Sequence, residues 1–367
     1  CIHPGFGLHR YREELTGPEF AHRMRQELDD SGAEVLTGAT VLEILPDGPA
    51  VKVVSPKGLK KFRPRAVVWA VGARERPFGA LRIPGTRPSG VFTAGLAQRL
   101  LDLEGLLPGR RAVILGSGDI GLIMARRLHL EGVEVRAVLE IQPFPGGLTR
   151  NVVQCLRDFG IPLLLSHTVA EVHGRERLEG ITAVRVDEHR HPIPGTERRI
   201  EADTLILSVG LIPEVRLIED IVPLDPVNRG PRVNGRLQTE VPWLFAAGNC
   251  VAVFDLVDTV AELGERAGAS AARYARGDLP SGKPVPLVRG ENVVSLVPSC
   301  LDGTAESARM YLRVPRPMEG VTVDVGGVVR RRVPVARPAE MIEIPLDGDA
   351  LSELSQKERI VVEVKPK

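Results

Sequence analysis

One ten-residue stretch, Ala112-Val113-Ile114-Leu115-Gly116-Ser117-Gly118-Asp119-Ile120-Gly121, constrains this chain more than any other. Its apolar half reads as a short strand that runs straight into G-x-G-x-x-G. Behind it, residues 122–131 carry a helical pattern that Gly132 stops. A second apolar run, 133–139, ends in Glu140, 24 residues after Gly116. Strand, glycine turn, helix, strand and terminal acid in this order predict a βαβ dinucleotide-binding unit. Gly116 permits the tight turn, Gly118 lets the backbone approach a pyrophosphate, and Gly121 lets the helix pack closely on the strand. Asp119 and Ile120 complete the turn, where the free N–H groups and positive dipole of a helix N-terminus favour phosphate. Glu140 falls where a carboxylate would accept hydrogen bonds from an adenosine ribose. It would repel a 2′-phosphate, so NAD is expected over NADP. The plainer alternative is a glycine-rich βα turn that binds nothing.

The rest of the chain repeats this logic in part. Thr16-Gly17-Pro18-Glu19 opens a helix: Thr16 suits the cap, Pro18 the first turn and Glu19 the positive end. Phe20, Met24 and Leu28 form its apolar stripe, and Ser31-Gly32 ends it. Strands are expected at 34–43, 50–55 and 59–63, divided by Pro/Gly turns. This antiparallel meander leads into 66–71, a run too uniformly apolar for one solvated face and closed by Gly72-Ala73. A helix is expected near 93–103. After Glu140 come a helix at 148–159, a strand at 161–165, a second meander at 168–202 and a buried strand at 203–209 followed by Gly210. Meander, buried strand and glycine thus occur twice, which resembles an internal duplication of a nucleotide-binding domain. A further buried strand, 244–247, ends in Gly248-Asn249, and a helix follows at 257–274. Residues 277–286 read as a linker. The Val-rich runs at 321–325, 328–335 and 360–364 predict a small β-sandwich-like module.

A net charge of +1 argues against nucleic acid or an anionic membrane as partner. The run Arg330-Arg331-Arg332 reads as a solvated strand end. The four cysteines, Cys1, Cys155, Cys250 and Cys300, lie far apart with no C-x-x-C, so a disulfide framework and a metal site are not expected. A reducing cytoplasm is the default location, and no apolar run is long enough to span a bilayer. Cys155 and Cys250 read as packed core residues. His189 and His191 read as surface. Glu262 and Glu265, at helical i, i+3 spacing, read either as groups that orient a ligand or as a surface pair with Arg266.

Four landmarks, in order, resemble the two-dinucleotide-binding-domain flavoproteins called pyridine nucleotide-disulfide oxidoreductases. They are Val68-Trp69-Ala70-Val71-Gly72-Ala73, Gly116 to Gly121, Leu207-Ser208-Val209-Gly210-Leu211-Ile212-Pro213 and Leu244-Phe245-Ala246-Ala247-Gly248-Asn249. The resemblance implies an α/β fold of two Rossmann-like domains, an FAD domain interrupted by an NAD domain, plus the C-terminal β module. The expected boundaries are 1–107 and 226–284 for the FAD domain, 108–225 for the NAD(P) domain and 285–367 for the module. It implies that Gly72 and Ala73 lie near FAD, that Gly248 and Asn249 meet its ribityl-phosphate part, and that the Val41 backbone faces adenine. Gly210, in the third landmark, joins the expected cofactor-binding set. The family usually has Asp where Asn249 stands. The opening stretch from Cys1 to Gly7, residues 14–20 and the β tail resemble a narrower group: dehydrogenases found alongside anaerobic glycerol-3-phosphate dehydrogenases, and the alpha subunits of opine and sarcosine oxidases.

The family's first G-x-G-x-x-G is expected upstream of Cys1, which reads as a lost N-terminus, and the redox dithiol has no counterpart. Cys1 and His3 are the candidates for a reactive thiol or proton donor beside the flavin, against ordinary loop residues. The expected function is hydride transfer between NAD(P)H and FAD, then onward to a small substrate or to a partner oxidoreductase subunit. The alternatives are an electron-relay subunit of an opine-type oxidase or glycerol-3-phosphate dehydrogenase complex, and a non-catalytic nucleotide-binding scaffold.

Overall fold

The computed structural model describes residues 5–366, so Cys1 and His3 lie outside the described residues. An inner unit consists of one continuous segment, Arg74–Leu211, and an outer unit is assembled from the chain on either side of it.

The outer unit begins with helix α1 (Gly17–Asp30). Its start follows from its cap. The Thr16 hydroxyl accepts from the Glu19 N–H, and the Glu19 carboxylate accepts from the Thr16 N–H at 2.8 Å. This reciprocal box satisfies donors that the helix itself leaves unpaired. An antiparallel meander follows: β1 (Thr40–Leu45), β2 (Ala50–Ser55) and β3 (Gly58–Phe62). The expected strand at 34–43 starts only at Thr40. Gly38, at φ +63°, makes a left-handed turn that an extended strand cannot contain. Strand β4 (Val67–Trp69) precedes the first crossing between the units, and β5 (Ala73–Glu75) lies at that crossing.

The inner unit holds β6 (Val91–Thr93), α2 (Ala94–Asp102), β7 (Arg111–Leu115), α3 (Asp119–Leu130), β8 (Glu134–Glu140), α4 (Thr149–Cys155) and β9 (Leu163–Leu165). The meander β10 (His167–Gly174), β11 (Leu178–Arg185) and β12 (Arg198–Glu201) leads to β13 (Thr204–Leu207). Five strands form one parallel sheet in the order β6-β13-β7-β8-β9. Helices cover one face around Ile114, Leu122, Leu128 and Ile206. The meander covers the other around Leu115, Leu139, Ile181 and Leu205. Coverage on both faces is why β7 and β13 read as unbroken apolar runs. The expected helix at 148–159 ends at Cys155, and a 3-10 turn, Arg157–Phe159, replaces its last part before Gly160 at φ +63°. The inner unit starts well before residue 108 because β6 is the edge strand beside β13 and α2 packs on α3.

After β14 (Leu211–Pro213), at the second crossing, the outer unit resumes. Strand β15 (Leu244–Ala246) pairs in parallel with β4, and helix α5 (Val257–Arg276) packs on both. Trp69, Phe245, Leu263 and Ala267 lie in this core, and the Trp69 indole donates to the Glu214 carbonyl at 2.8 Å. The tail forms β16 (Val285–Arg289), β17 (Ser295–Val297), β18 (Cys300–Leu301), β19 (Ser307–Arg313), β20 (Met318–Val325), β21 (Val329–Ala336), β22 (Ile342–Asp347), α6 (Gly348–Leu354) and β23 (Ile360–Pro366). Two sheets, β18-β16-β23-β20-β21 and β17-β19-β22, share a core with Met310, Leu312, Val323, Ile344 and Val362. The expected β module is therefore two-layered, with α6 added against β19 and β22. Arg330, Arg331 and Arg332 are exposed on its edge strand β21. No helix among the described residues is long and apolar enough to cross a membrane.

A buried ion pair ties this module to the segment ahead of β15. Arg236 Nη1 donates to Asp302 Oδ2 at 2.6 Å, with the two side chains only 9% and 6% exposed. Arg236 also donates to the Thr304 hydroxyl. Removing one member of such a pair strands the other charge, so Asp302→Ala is expected to destabilise the outer unit by about 3–5 kcal/mol. Arg330→Ala, which breaks an exposed pair with Asp324, should change stability by no more than about 0.5 kcal/mol. Urea unfolding followed by tryptophan fluorescence separates the two outcomes.

Candidate functional site

The glycine turn sits at the carboxyl end of β7, where the sheet order reverses: β8 lies on one side of β7 and β13 on the other. Open parallel sheets bind ligands at such a switch point. Gly116 has φ +102°, and a Cβ there would overlap the Ser208 carbonyl oxygen. A Cβ on Gly121 would overlap the Gly116 carbonyl oxygen and stand 2.9 Å from the Ser208 Cβ. These two glycines let α3 start directly above the strand. Gly118 differs: a Cβ on it would meet nothing within 4 Å. It is the N-cap of α3, at φ −63°, with no side-chain cap bond. Open space beside uncapped N–H groups at a helix start suits the phosphates of a dinucleotide.

Glu140 closes β8 and is 6% exposed. Its Oε2 accepts from the Ser117 N–H at 3.0 Å and the Ser117 hydroxyl at 2.6 Å, and its Oε1 accepts from the Gln142 N–H at 2.9 Å. The structure thus brings the expected acid against the expected turn. Asp119 does not face outward. Its Oδ1 accepts from the Leu148 N–H at 2.8 Å and from Asn151 Nδ2 at 2.7 Å, which anchors the loop after β8. Ile120 is 40% exposed at the helix start. Gly210, at φ +95°, follows β13, and its carbonyl accepts from the Arg76 N–H. Ser117, Gln142 and the glycine pair Gly146-Gly147 were not singled out by pattern. Only the second strand's acid carries a spacing signal. What bonds to that acid depends on how the loop after β8 returns.

In the outer unit, Gly72 follows β4 at φ +74° with open space where a Cβ would point. Val41 is 37% exposed on β1. Gly248 follows β15 at φ +73°, and a Cβ there would stand 3.1 Å from Val260. Asn249 Oδ1 accepts from the Phe254 N–H at 3.0 Å, so this side chain braces the turn that leads to α5. The same turn is held from the β module by Arg313, which donates to the Val253 carbonyl and to Asp255, while Asp255 also accepts from the Met341 N–H. At the start of α5, the buried Asp258 carboxylate accepts from the N–H groups of Gly7, His9 and Arg10 at 3.0, 3.2 and 2.9 Å. Charge-assisted bonds of this kind are roughly twice as strong as neutral ones, and they fix the opening loop on α5. The expected surface pairing of Glu262 and Glu265 with Arg266 gives way to longer-range partners. Glu262 accepts from Arg309, Glu265 pairs with Arg10, and Arg266 donates to the Gly235 carbonyl.

The three described cysteines are free. Cys155, the last residue of α4, is fully buried in the core that α3 shares. The buried Cys250 thiol donates toward the Trp69 and Ala247 carbonyls. Burial pushes the thiols of Cys155, Cys250 and Cys300 up to about 11. His189 and His191 lie exposed on a turn organised by Asp187.

The chain matches the pyridine nucleotide-disulphide oxidoreductase family over residues 30–271. It is 31% identical over 160 residues to an opine oxidase chain of Agrobacterium tumefaciens, one subunit of that enzyme, covering 41% of this chain and 31% of that one. It is 26% identical over 261 residues to an NADH oxidase of Streptococcus pyogenes, covering 66% and 54%. The crystal structure of an FAD-dependent pyridine nucleotide-disulphide oxidoreductase from Desulfovibrio vulgaris shares the fold. Its TM-score is 0.52 at 20% identity, with 93% of this chain and 88% of that one covered. The chain spans about half or less of the length of these curated relatives.

The packing around the turn and the thiols can be tested directly. Gly121→Ala forces the overlap with Gly116 and is expected to cost about 1–3 kcal/mol, while Gly118→Ala, in open space, should leave the thermal midpoint nearly unchanged. Differential scanning fluorimetry checks both. For the thiols, a folded value raised above the unfolded one adds stability at low pH that is lost as pH rises through that folded value. The urea midpoint should therefore fall progressively from about pH 9 to pH 11 through these three groups, and less in a variant with all three changed to Ser. The family match covers the whole inner unit and reaches into both segments of the outer unit, at residues 30–73 and 212–271, and this chain belongs to the pyridine nucleotide-disulphide oxidoreductase family.

Proposed function

We propose that this chain forms the nucleotide-binding part of an FAD-dependent oxidoreductase. It transfers hydride between NAD(P)H and flavin without a redox-active dithiol, and electrons pass on to a small substrate or to the redox centre of a partner subunit. The observation that carries this reading is the inner unit's glycine turn. An uncapped helix start opens beside Gly118, and the Glu140 carboxylate is fixed at the end of the neighbouring strand. Family members bind FAD and NAD(P)H. The inner unit's turn suits the dinucleotide, and the outer unit supplies part of a flavin site. Gly116, Gly118, Asp119, Ile120 and Gly121 would hold the pyrophosphate of NAD, and Glu140 would meet its adenosine ribose. In the outer unit, Gly72 has open space where a side chain would stand. With Val41, Ala73, Gly248 and Asn249 it would line FAD.

When bound, the flavin supplies hydride acceptance and onward electron transfer. The chain's own residues bind and orient. Helix α3 presents N–H groups to phosphate, Glu140 reads a ribose edge, and Asn249 and Arg313 keep the turn before α5 in one conformation. Buried, protonated thiols at Cys155 and Cys250 are poor nucleophiles, which supports a route for electrons other than a protein disulfide. The likeness to a protein named as one subunit of an oxidase favours a second reading, in which the chain relays electrons within a complex. Cys1 and His3 are the candidates for a group beside the flavin.

The test is anaerobic titration of the complete purified protein with NADH. An oxidoreductase carries flavin absorbance that bleaches on addition of NADH and returns with an acceptor. A relay returns its colour only with its partner subunit. A colourless protein, or flavin indifferent to NADH and NADPH alike, would overturn the proposal in favour of a nucleotide-binding scaffold.

A further inference from the structure

The loop after β8 does not run off into solvent. It folds back across the glycine turn and is tied there by one side chain. The Ser117 hydroxyl donates to Glu140 Oε2 at 2.6 Å and accepts from the Gly146 N–H at 2.7 Å. Ser117 is fully buried. Gly146 lies so close that a Cβ on it would stand 3.3 Å from Glu140 Oε2, 3.4 Å from the Gly118 nitrogen and 3.5 Å from the Ser117 hydroxyl. Its backbone is not left-handed, so conformation is not what demands glycine there. Two further bonds, from the Leu148 N–H and Asn151 Nδ2 to Asp119, secure the far end of the loop. Gly146 therefore packs beside Glu140 and the Gly118 nitrogen, and Gly147 packs on Leu122, Asp119 and the Ser117 carbonyl.

We propose that Ser117 is the positioning residue that sets selectivity for an unphosphorylated adenosine ribose, by consuming the hydrogen-bond donors that a 2′-phosphate would need. This deepens the reading given above and rests on it. Four donors at this corner are the N–H and O–H of Ser117 and the N–H groups of Gln142 and Gly146. The first three are spent on the Glu140 carboxylate, and the fourth on the Ser117 hydroxyl. A ribose hydroxyl can still donate to the carboxylate, which retains acceptor capacity on Oε1. A 2′-phosphate brings negative charge and only acceptors, and it finds a carboxylate beside four donors that are already engaged. Glu140 alone would repel a phosphate but could turn aside. The Ser117 bridge holds the carboxylate and the Gly146 loop in place together.

The experiment is calorimetric titration of the complete protein with ADP-ribose and with its 2′-phosphorylated analogue, which reads binding without turnover. Wild type is expected to favour ADP-ribose by at least about 100-fold. Ser117→Ala frees the Gly146 N–H as a donor and releases one bond on the carboxylate. The preference is expected to drop by about tenfold or more, the scale of one charge-assisted hydrogen bond, while Gly118→Ala weakens both ligands alike. An unchanged preference in a Ser117→Ala protein with a normal thermal midpoint would overturn the inference and leave the proposed function standing. Wild type that binds neither ligand would overturn both. Should Ser117→Ala fail to fold, Ser117→Cys gives the same reading, because a thiol is only a weak donor and acceptor and loosens the bridge between Glu140 and Gly146. A preserved preference there sinks the inference, and a lowered one supports it.

Discussion

Helix α3 begins where it does because two backbones can touch. Gly116 lies against the Ser208 carbonyl, and Gly121 lies against Gly116 and Ser208. A single methyl group at either position would push the first turn of the helix off the sheet. The rest of the crevice depends on this approach. The uncapped N–H groups of α3, the open side of Gly118 and the distance from Ser117 to Glu140 are all set by how low the helix sits over β7 and β13. Fully buried strands on both sides of the turn keep it there. The hydrophobic burial that stabilises the sheet and the geometry that could receive a nucleotide are therefore one arrangement.

The outer unit solves a different problem, the bracing of a loop rather than the opening of a crevice. The segment from Gly248 to α5 has little secondary structure of its own. It is held by Asn249 from within, by Arg313 from the β module and by Asp258, which gathers three backbone N–H groups of the opening loop. Arg313 and Asp258 are charged groups satisfied by several partners at once, which offsets the desolvation that burial imposes on them. The β module is thus part of the support for the strand-to-helix turn that the family resemblance assigns to flavin.

Much of the architecture could be read from order and spacing. The parallel strands showed as unbroken apolar runs, the meanders as short strands divided by Pro and Gly turns, and the start of α1 as a Thr cap followed by Pro and Glu. The resemblance that placed the chain in its family rested on four short landmarks whose glycines are needed for backbone reasons, so it was legible without side-chain detail. The strand expected at 34–43 is cut short by Gly38, which redirects the backbone ahead of β1, and the helix expected at 148–159 tightens after Cys155 into the 3-10 turn Arg157–Phe159. The start of the inner unit was misplaced because β6 joins its sheet by pairing with a strand more than a hundred residues later in the chain, and no local signal marks such a partner.

At the candidate site the division is sharper. The sequence alone determined that Gly116, Gly118, Gly121 and Glu140 would form a βαβ turn with an acid at its far side, because strand length, helix length and glycine backbone freedom are local properties. Only the tertiary structure decided that the acid would be clasped by Ser117 and Gln142, that Asp119 would turn inward to hold the returning loop, and that Gly146 would pack beside Glu140. It also sent Glu262 and Glu265 to Arg309 and Arg10 rather than to their own helix neighbour. Each of these outcomes depends on which donor the folded chain carries within about 3 Å of a given acceptor, and that is settled by packing between elements distant in sequence.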